Sequence, residues 1–180
     1  MSYATTDSTV PVPFSPLPRA RALLALLAAA LFAAMLSFSG AAAADPAVAS
    51  QIMQIARQDR QLMDLHIQIA RQHASMGNIV GARNSYTSAQ IQAIKLNMDF
   101  VRLVAEHRDS LDRGLYRNRA ALERAINYAQ LANTDAQMLS LDLQQLVQLP
   151  TSPQLQTRLQ IDLITFSTHL TQLEQAMSEA

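Results

Sequence analysis

The chain has 180 residues, 49% of them hydrophobic, with no Cys, no Trp, and 14 basic against 14 acidic side chains. The absence of Cys excludes a disulfide framework, a zinc knuckle, a covalently held haem and a thiol nucleophile. Zero formal net charge argues against a nucleic-acid binder, which needs a basic surface to neutralise phosphates.

Residues 1–18 carry Pro11, Pro13, Pro16 and Pro18 and read as a disordered leader. Arg19 and Arg21 then precede Ala22–Phe38, which holds no charge, followed by Ser39-Gly40 and the run Ala41–Ala44. Basic, then apolar, then small residues is the order of a secretory signal peptide. Ala42-x-Ala44 fits its cleavage rule and predicts a mature chain from Asp45. The alternative is an uncleaved anchor, although the segment is short and Ala-rich for a bilayer core of roughly 30 Å. Either way the arginines hold the amino end in the cytoplasm. Residues 45–180 are then expected in the bacterial periplasm or medium, with membrane contact only through a retained leader.

Past Asp45 the helix breakers fall in four clusters: Pro46, Gly77–Gly81, Gly114 and Pro150–Pro153. The segments between them are rich in Ala, Leu, Gln, Arg and Met, which lose little rotamer freedom in a helix. Each carries an apolar stripe at alternating three- and four-residue steps. In the first, Ile55, Leu62, Ile69 and Met76 recur every heptad, flanked by Ala56, Met63 and Ala70. The second runs Ala82, Tyr86, Ala89, Ala93, Leu96, Phe100, Leu103. The third gives Leu122, Ala125, Ala129, Ala132, Ala136, Leu139, Leu143, Leu146, and the fourth Leu159, Leu163, Phe166, Leu170, Leu173, Met177. Such steps are the seam of left-handed helix packing. Asp45-Pro46 and Ser152-Pro153 place a capping side chain before proline, and Gly77-Asn78 suits a stop and a restart.

The spacing predicts an all-α, antiparallel up-down-up-down four-helix bundle, with helices near 46–76, 80–112, 116–149 and 153–178. Gly114 is the open boundary: a turn there buries all four stripes, whereas one continuous helix would run about 100 Å with its stripes uncovered. Residues 66–89 locally resemble one tetratricopeptide repeat, with Ala70, Gly77, Ala82, Tyr86 and Ala89 at the characteristic offsets. No second copy follows, and a solenoid needs about three, so that family's peptide binding is not carried over.

His66, His73, His107 and His169 are spread too widely along such a bundle to converge on one ion, and no Glu-x-x-His pair occurs. No metal, cofactor or catalytic site is predicted; phosphate-loop, Gly-x-Ser-x-Gly and His-Glu-x-x-His signatures are missing. Counting heights from the turns places Asp59 level with His169 and His66 level with Asp162, predicting two Asp–His pairs between the first and fourth helices. Arg102 to Arg124 include Arg108, Arg113, Arg117, Arg119 and Arg124, a candidate basic patch for an anionic partner, although interleaved Glu106, Asp109, Asp112 and Glu123 can neutralise it.

The expected function is an exported, non-enzymatic bundle acting through protein or envelope contacts, adaptor- or chaperone-like. The alternative is a periplasmic bundle that senses a ligand or binds a small molecule or metal, which needs a cavity with convergent polar groups. The Ala, Leu and Phe of the seams favour close packing instead. Ile94, Val101 and Val104 are expected to leave a stripe for a second subunit, making a homodimer the candidate assembly.

Overall fold

A computed structural model of the chain describes residues 46–180, and the expectations for the leader, the apolar segment and cleavage after Ala44 lie outside the described residues. The described residues form four helices and no strand: α1 (Pro46–Ser75), α2 (Ile79–Asp112), α3 (Arg119–Gln148) and α4 (Pro153–Glu179). They pack as a four-helix bundle.

The ends follow from local chemistry. Gly77 and Gly114 adopt φ of +74° and +70°, the left-handed turn that only glycine enters without strain. Each stops a helix with the same closure, Asn78 N donating to His73 O at 2.9 Å and Leu115 N to Ser110 O at 2.9 Å. The next helix starts where a side chain caps it. Asn78 Oδ1 accepts from Gly81 N at 2.9 Å, Asn118 Oδ1 from Ala121 N at 3.2 Å, and Ser152 Oγ from Leu155 N at 3.4 Å. The Asn118 cap sets the start of α3 at Arg119, later than residue 116. The α2–α3 loop is also pinned to the end of α4, since Arg117 N and Asn118 N both donate to Ala180 O, at 2.7 and 3.1 Å.

The four sides of the bundle are not alike. Cα atoms approach within 8 Å between α1 and α2, α2 and α3, and α3 and α4, but nowhere between α1 and α4. Alanine explains the close sides: Ala89 and Ala93 of α2 and Ala125, Ala129, Ala132 and Ala136 of α3 are all fully buried. A methyl group in the seam lets two backbones approach where a leucine would hold them apart.

The wide side is filled by larger groups. Phe166 of α4 meets Phe100 of α2 edge to face, with ring centroids 5.9 Å apart, and the Arg60 guanidinium of α1 lies 6.0 Å over the Phe166 ring. Long polar side chains then bridge the gap: Arg57 Nε to Glu174 Oε1 at 2.7 Å, Arg60 Nη2 to Ser167 Oγ at 2.9 Å, and Arg71 Nη2 to Gln160 Oε1 at 3.0 Å. Rising numbers on α1 meet falling numbers on α4, so these two helices run antiparallel.

Substituting a larger residue in the closest seam is expected to force backbones apart. Ala129→Leu should lower stability by about 1–3 kcal/mol in urea unfolding, as overpacking does. The same change at exposed Gln137 should leave the midpoint in place.

Candidate functional site

The level-matching of α1 and α4 agrees with the observed bridges, since Arg60 and Ser167, within two residues of Asp59 and His169, meet across the gap. The faces do not agree. Asp59 sits on the flank of α1 that faces α2, where Lys95 Nζ lies 3.9 Å from its carboxylate. His66, two turns along, shares that flank by heptad spacing. On α4, His169 and Asp162 face α3 instead. His169 Nδ1 lies 2.6 Å from Asp135 Oδ2, and Asp162 lies against Asp142 and Arg158. The predicted Asp59–His169 and His66–Asp162 pairs are therefore replaced by contacts within the close interfaces on either side.

Four polar contacts, one per interface, occupy a common level. These are Asp59–Lys95, Asn97 Nδ2 donating to Asn133 Oδ1, Asp135–His169 and Arg60–Ser167. Counted at a rise of 1.5 Å per residue, they fall within about one helical turn of each other. Sliding any helix by a turn would break the contact on both of its sides, so the belt specifies register.

The basic patch is largely neutralised. Arg113 Nε pairs with Asp109 at 3.1 Å, Arg119 Nε with Glu123 at 2.9 Å and Arg124 Nη2 with Glu179 at 2.5 Å. Among the described residues Arg108 and Arg117 make no ion pair, so the five arginines do not form one continuous cationic surface.

Asp142, His107 and Asp99 are buried ionisable groups that the sequence did not mark as sites, and burial, with the charge of Asp59, pushes the Asp99 carboxyl up. Asp142 of α3 is fully buried at the α4 interface, with Arg158 Nε 2.9 Å from Oδ1. Burial, a hydrogen bond with Asp162 and the charge of Asp162 together raise its pKa, against the pull of Arg158, to about 7. Without a shared proton, Asp142 Oδ2 and Asp162 Oδ2 have no donor; with one, the two carboxyls satisfy each other. Asp142 stands next to core Leu143, and no sequence signal separates it from an exposed flank.

His107 of α2 is buried, and burial lowers its pKa to about 4, so the imidazole is neutral; its Nε2 has no partner. The signal for it was present, because the apolar seam through Leu103 continues to His107 and Ser110. His107 lines a cavity of about 620 Å³ at the end of the bundle where α1 and α3 begin and α2 and α4 end. Ala49, Leu115, Tyr116, Leu122 and Met177 supply apolar walls, and Ser110 and Arg117 supply polar groups. Close packing along the seams thus stops short of this end.

The exterior has its own pattern. Exposed residues of α1 include Gln51, Gln54, Ile55, Gln58, Gln61, Leu62, Leu65, Gln68 and Gln72, and the one exposed charge, Arg57, is engaged by Glu174. On α2, Ile91, Ile94, Met98 and Val101 are each 43–53% exposed at steps of three and four residues. Val104 instead packs partly against the core. From residue 127 to 148 the exposed positions of α3 are uncharged as well.

No protein-family model matches the chain, and neither the curated proteins nor the solved structures give a match. Among the described residues, no group of three or more His, Asp or Glu side chains is placed to hold a metal ion. No described helix is long and apolar enough to cross a membrane.

Asp142 and His107 titrate in opposite senses. Folded His107 stays neutral to about 4 while the unfolded imidazole protonates near 6.5, so stability held above that pH is lost as pH falls toward 4. Folded Asp142 keeps its proton to about 7 while the unfolded carboxyl ionises near 3.8, so its contribution is full at low pH and is lost as pH rises through 7. Lowering pH from about 8 to about 5 should therefore destabilise Asp142→Asn more than the parent, and His107→Gln less, in urea titrations. A double-mutant cycle on Asp135 and His169 should give a coupling of about 1 kcal/mol, and one on His66 and Asp162 none.

Proposed function

We propose that this is an exported, non-enzymatic helical-bundle protein working at the cell envelope by protein–protein contact, adaptor- or chaperone-like, and that it does so as a self-associating unit. The carrying observation is the second apolar seam on the outside of α1 and α2, made by Ile55, Leu62, Leu65, Ile91, Ile94, Met98 and Val101, all 38–53% exposed. A surface helix ordinarily turns its charges outward and its aliphatic groups inward. Here the charges of α1 flank its core stripe and reach neighbouring helices, while Gln, Ile and Leu face out.

A second copy of the chain fits this face. Charge is sparse at the centres of protein interfaces, the exposed charges beside this seam are Lys95 and Arg102 of α2, and zero formal net charge sets no long-range repulsion against a like partner. The seam runs over residues 55–65 of α1 and 91–101 of α2, about 15 Å of each helix, and two helices about 10 Å wide give on the order of 300 Å² there. A standard interface takes about 800 Å² from each partner, so the Gln-rich outer face of α1 must supply the remainder. Export is supported by Arg19 and Arg21, the uncharged Ala22–Phe38 and the small residues before Asp45.

Protein recovered from the envelope of an expressing bacterium should start at Asp45 by terminal sequencing and sediment as a dimer at micromolar concentration. Ile94→Glu with Met98→Glu should give a monomer of unchanged helicity, because two carboxylates would have to be desolvated at the seam. A monomeric parent, or a dimer indifferent to both changes, would refute self-association.

A further inference from the structure

The cavity at the charged end of the bundle has the makings of a ligand site, and this conclusion does not rest on the self-association of α1 and α2. Its volume of about 620 Å³ falls within the range of small-molecule pockets, roughly 300–1,000 Å³. Its walls are apolar on three sides: Ala49 from α1, Leu115 and Leu122 from either side of the α2–α3 turn, and Met177 from α4. The polar lining is Ser50, Ser110, Tyr116, Arg117, Ser178 and Glu179 with His107 and the main chain of Ala180, and part of it is committed: Ser178 Oγ donates to Gln175 O, and Ala180 O accepts from Arg117 N and Asn118 N. Ser110 is buried, and His107 is 95% buried by its 5% exposure while its Nε2 lacks any partner. A buried polar atom without a hydrogen bond costs about 1–3 kcal/mol; Nε2 itself is closed to solvent, so a ligand atom recovers that cost only when the imidazole turns toward the cavity.

The charge on the lining selects the head group. Glu179, the one acidic side chain there, is held by Arg124 Nη2 and accepts from Gln175 Nε2 at 3.1 Å. Arg117, the one cationic side chain there, makes no ion pair among the described residues, although its backbone N–H anchors the loop on Ala180. A neutral imidazole can donate from Nε2 without carrying a charge of its own, and a guanidinium binds carboxylate oxygens with paired donors.

The geometry points to a binding site for a small amphipathic monocarboxylate, its aliphatic or aromatic body against Leu115, Leu122 and Met177 and its carboxylate between Arg117 and His107. The site opens where four chain segments meet: the start of α1, the end of α2 with the turn that follows, the start of α3 and the end of α4. A ligand there would tie together the bundle end that no close-packed seam reaches.

Decanoate below its micelle-forming concentration and 1-decanol of the same chain length are the probes, titrated into the full-length protein. Imidazole NMR signals of His107 and methyl signals of Leu115 and Met177 are the readout. Decanoate is expected to bind one to one and shift all three residues. 1-Decanol should bind at least tenfold more weakly. Arg117→Ala, at an exposed position that leaves the fold alone, should weaken decanoate about tenfold without affecting decanol. Leu115→Trp, on the rim, should block both by filling the mouth. The assignment is overturned if neither probe moves the His107 signal, if decanol matches decanoate and Arg117→Ala changes nothing, or if the shifts map to Leu62, Ile94 and Met98. The last pattern would mean that the alkyl chain is adsorbing to the outer seam and that the cavity is no site.

Discussion

The spacing between helices governs everything else in this bundle, and alanine sets it. Where methyl groups line the seam, as along Ala125, Ala129, Ala132 and Ala136, neighbouring backbones approach closely. Each close side surrenders area per residue, because an alanine buries little. The loss is made up in the interior and on the fourth side, where Phe100, Phe166, Met63 and Ile67 are buried and Arg57, Arg60 and Arg71 reach across to α4. A bundle with four equal sides would have needed larger seam residues throughout, and would have no call for bridges of that length.

Polar groups inside the bundle serve register more than they serve net stability. An apolar heptad stripe is nearly as well satisfied after a one-turn slip, so seams of Ala and Leu alone leave neighbouring alignments close in energy. The mid-level belt removes that degeneracy, since Asp135–His169 and Asn97–Asn133 find their partners in one alignment only. Asp142 belongs to the same logic with an added condition. Its carboxyl is tolerated in the interior because Arg158 and Asp162 lie beside it and burial favours its protonated form.

Directing charge inward has a consequence outside. The arginines and acids that clasp α1 to α4 and α1 to α2 are drawn from flanking positions, so the outward positions are left to Gln, Thr and aliphatic residues. Arg108 and Arg117, which make no ion pair among the described residues, lie toward the end formed by the α2–α3 turn, where Arg117 lines the cavity. The molecule thus has sides rich in Gln and aliphatic residues with few charges, and a hollow end. Association through the sides and ligand capture at the end would divide along that line.

The sequence by itself determined the helices, their caps and the two glycine stops, because these depend on neighbours within a few residues: Asn78, Asn118 and Ser152 cap their own helices whatever lies beyond. It also determined which residues stand level, since the rise per residue and the turn positions fix height. What it left undetermined was rotation. Asp59 and His169 share a level but face opposite neighbours, and that choice depends on how far Ala-rich and Phe-bearing seams hold the helices apart. The end cavity was equally beyond its reach. His107 reads as one more seam residue until four chain segments are brought together and fail to fill the space in front of it, and a void is a property of no single segment.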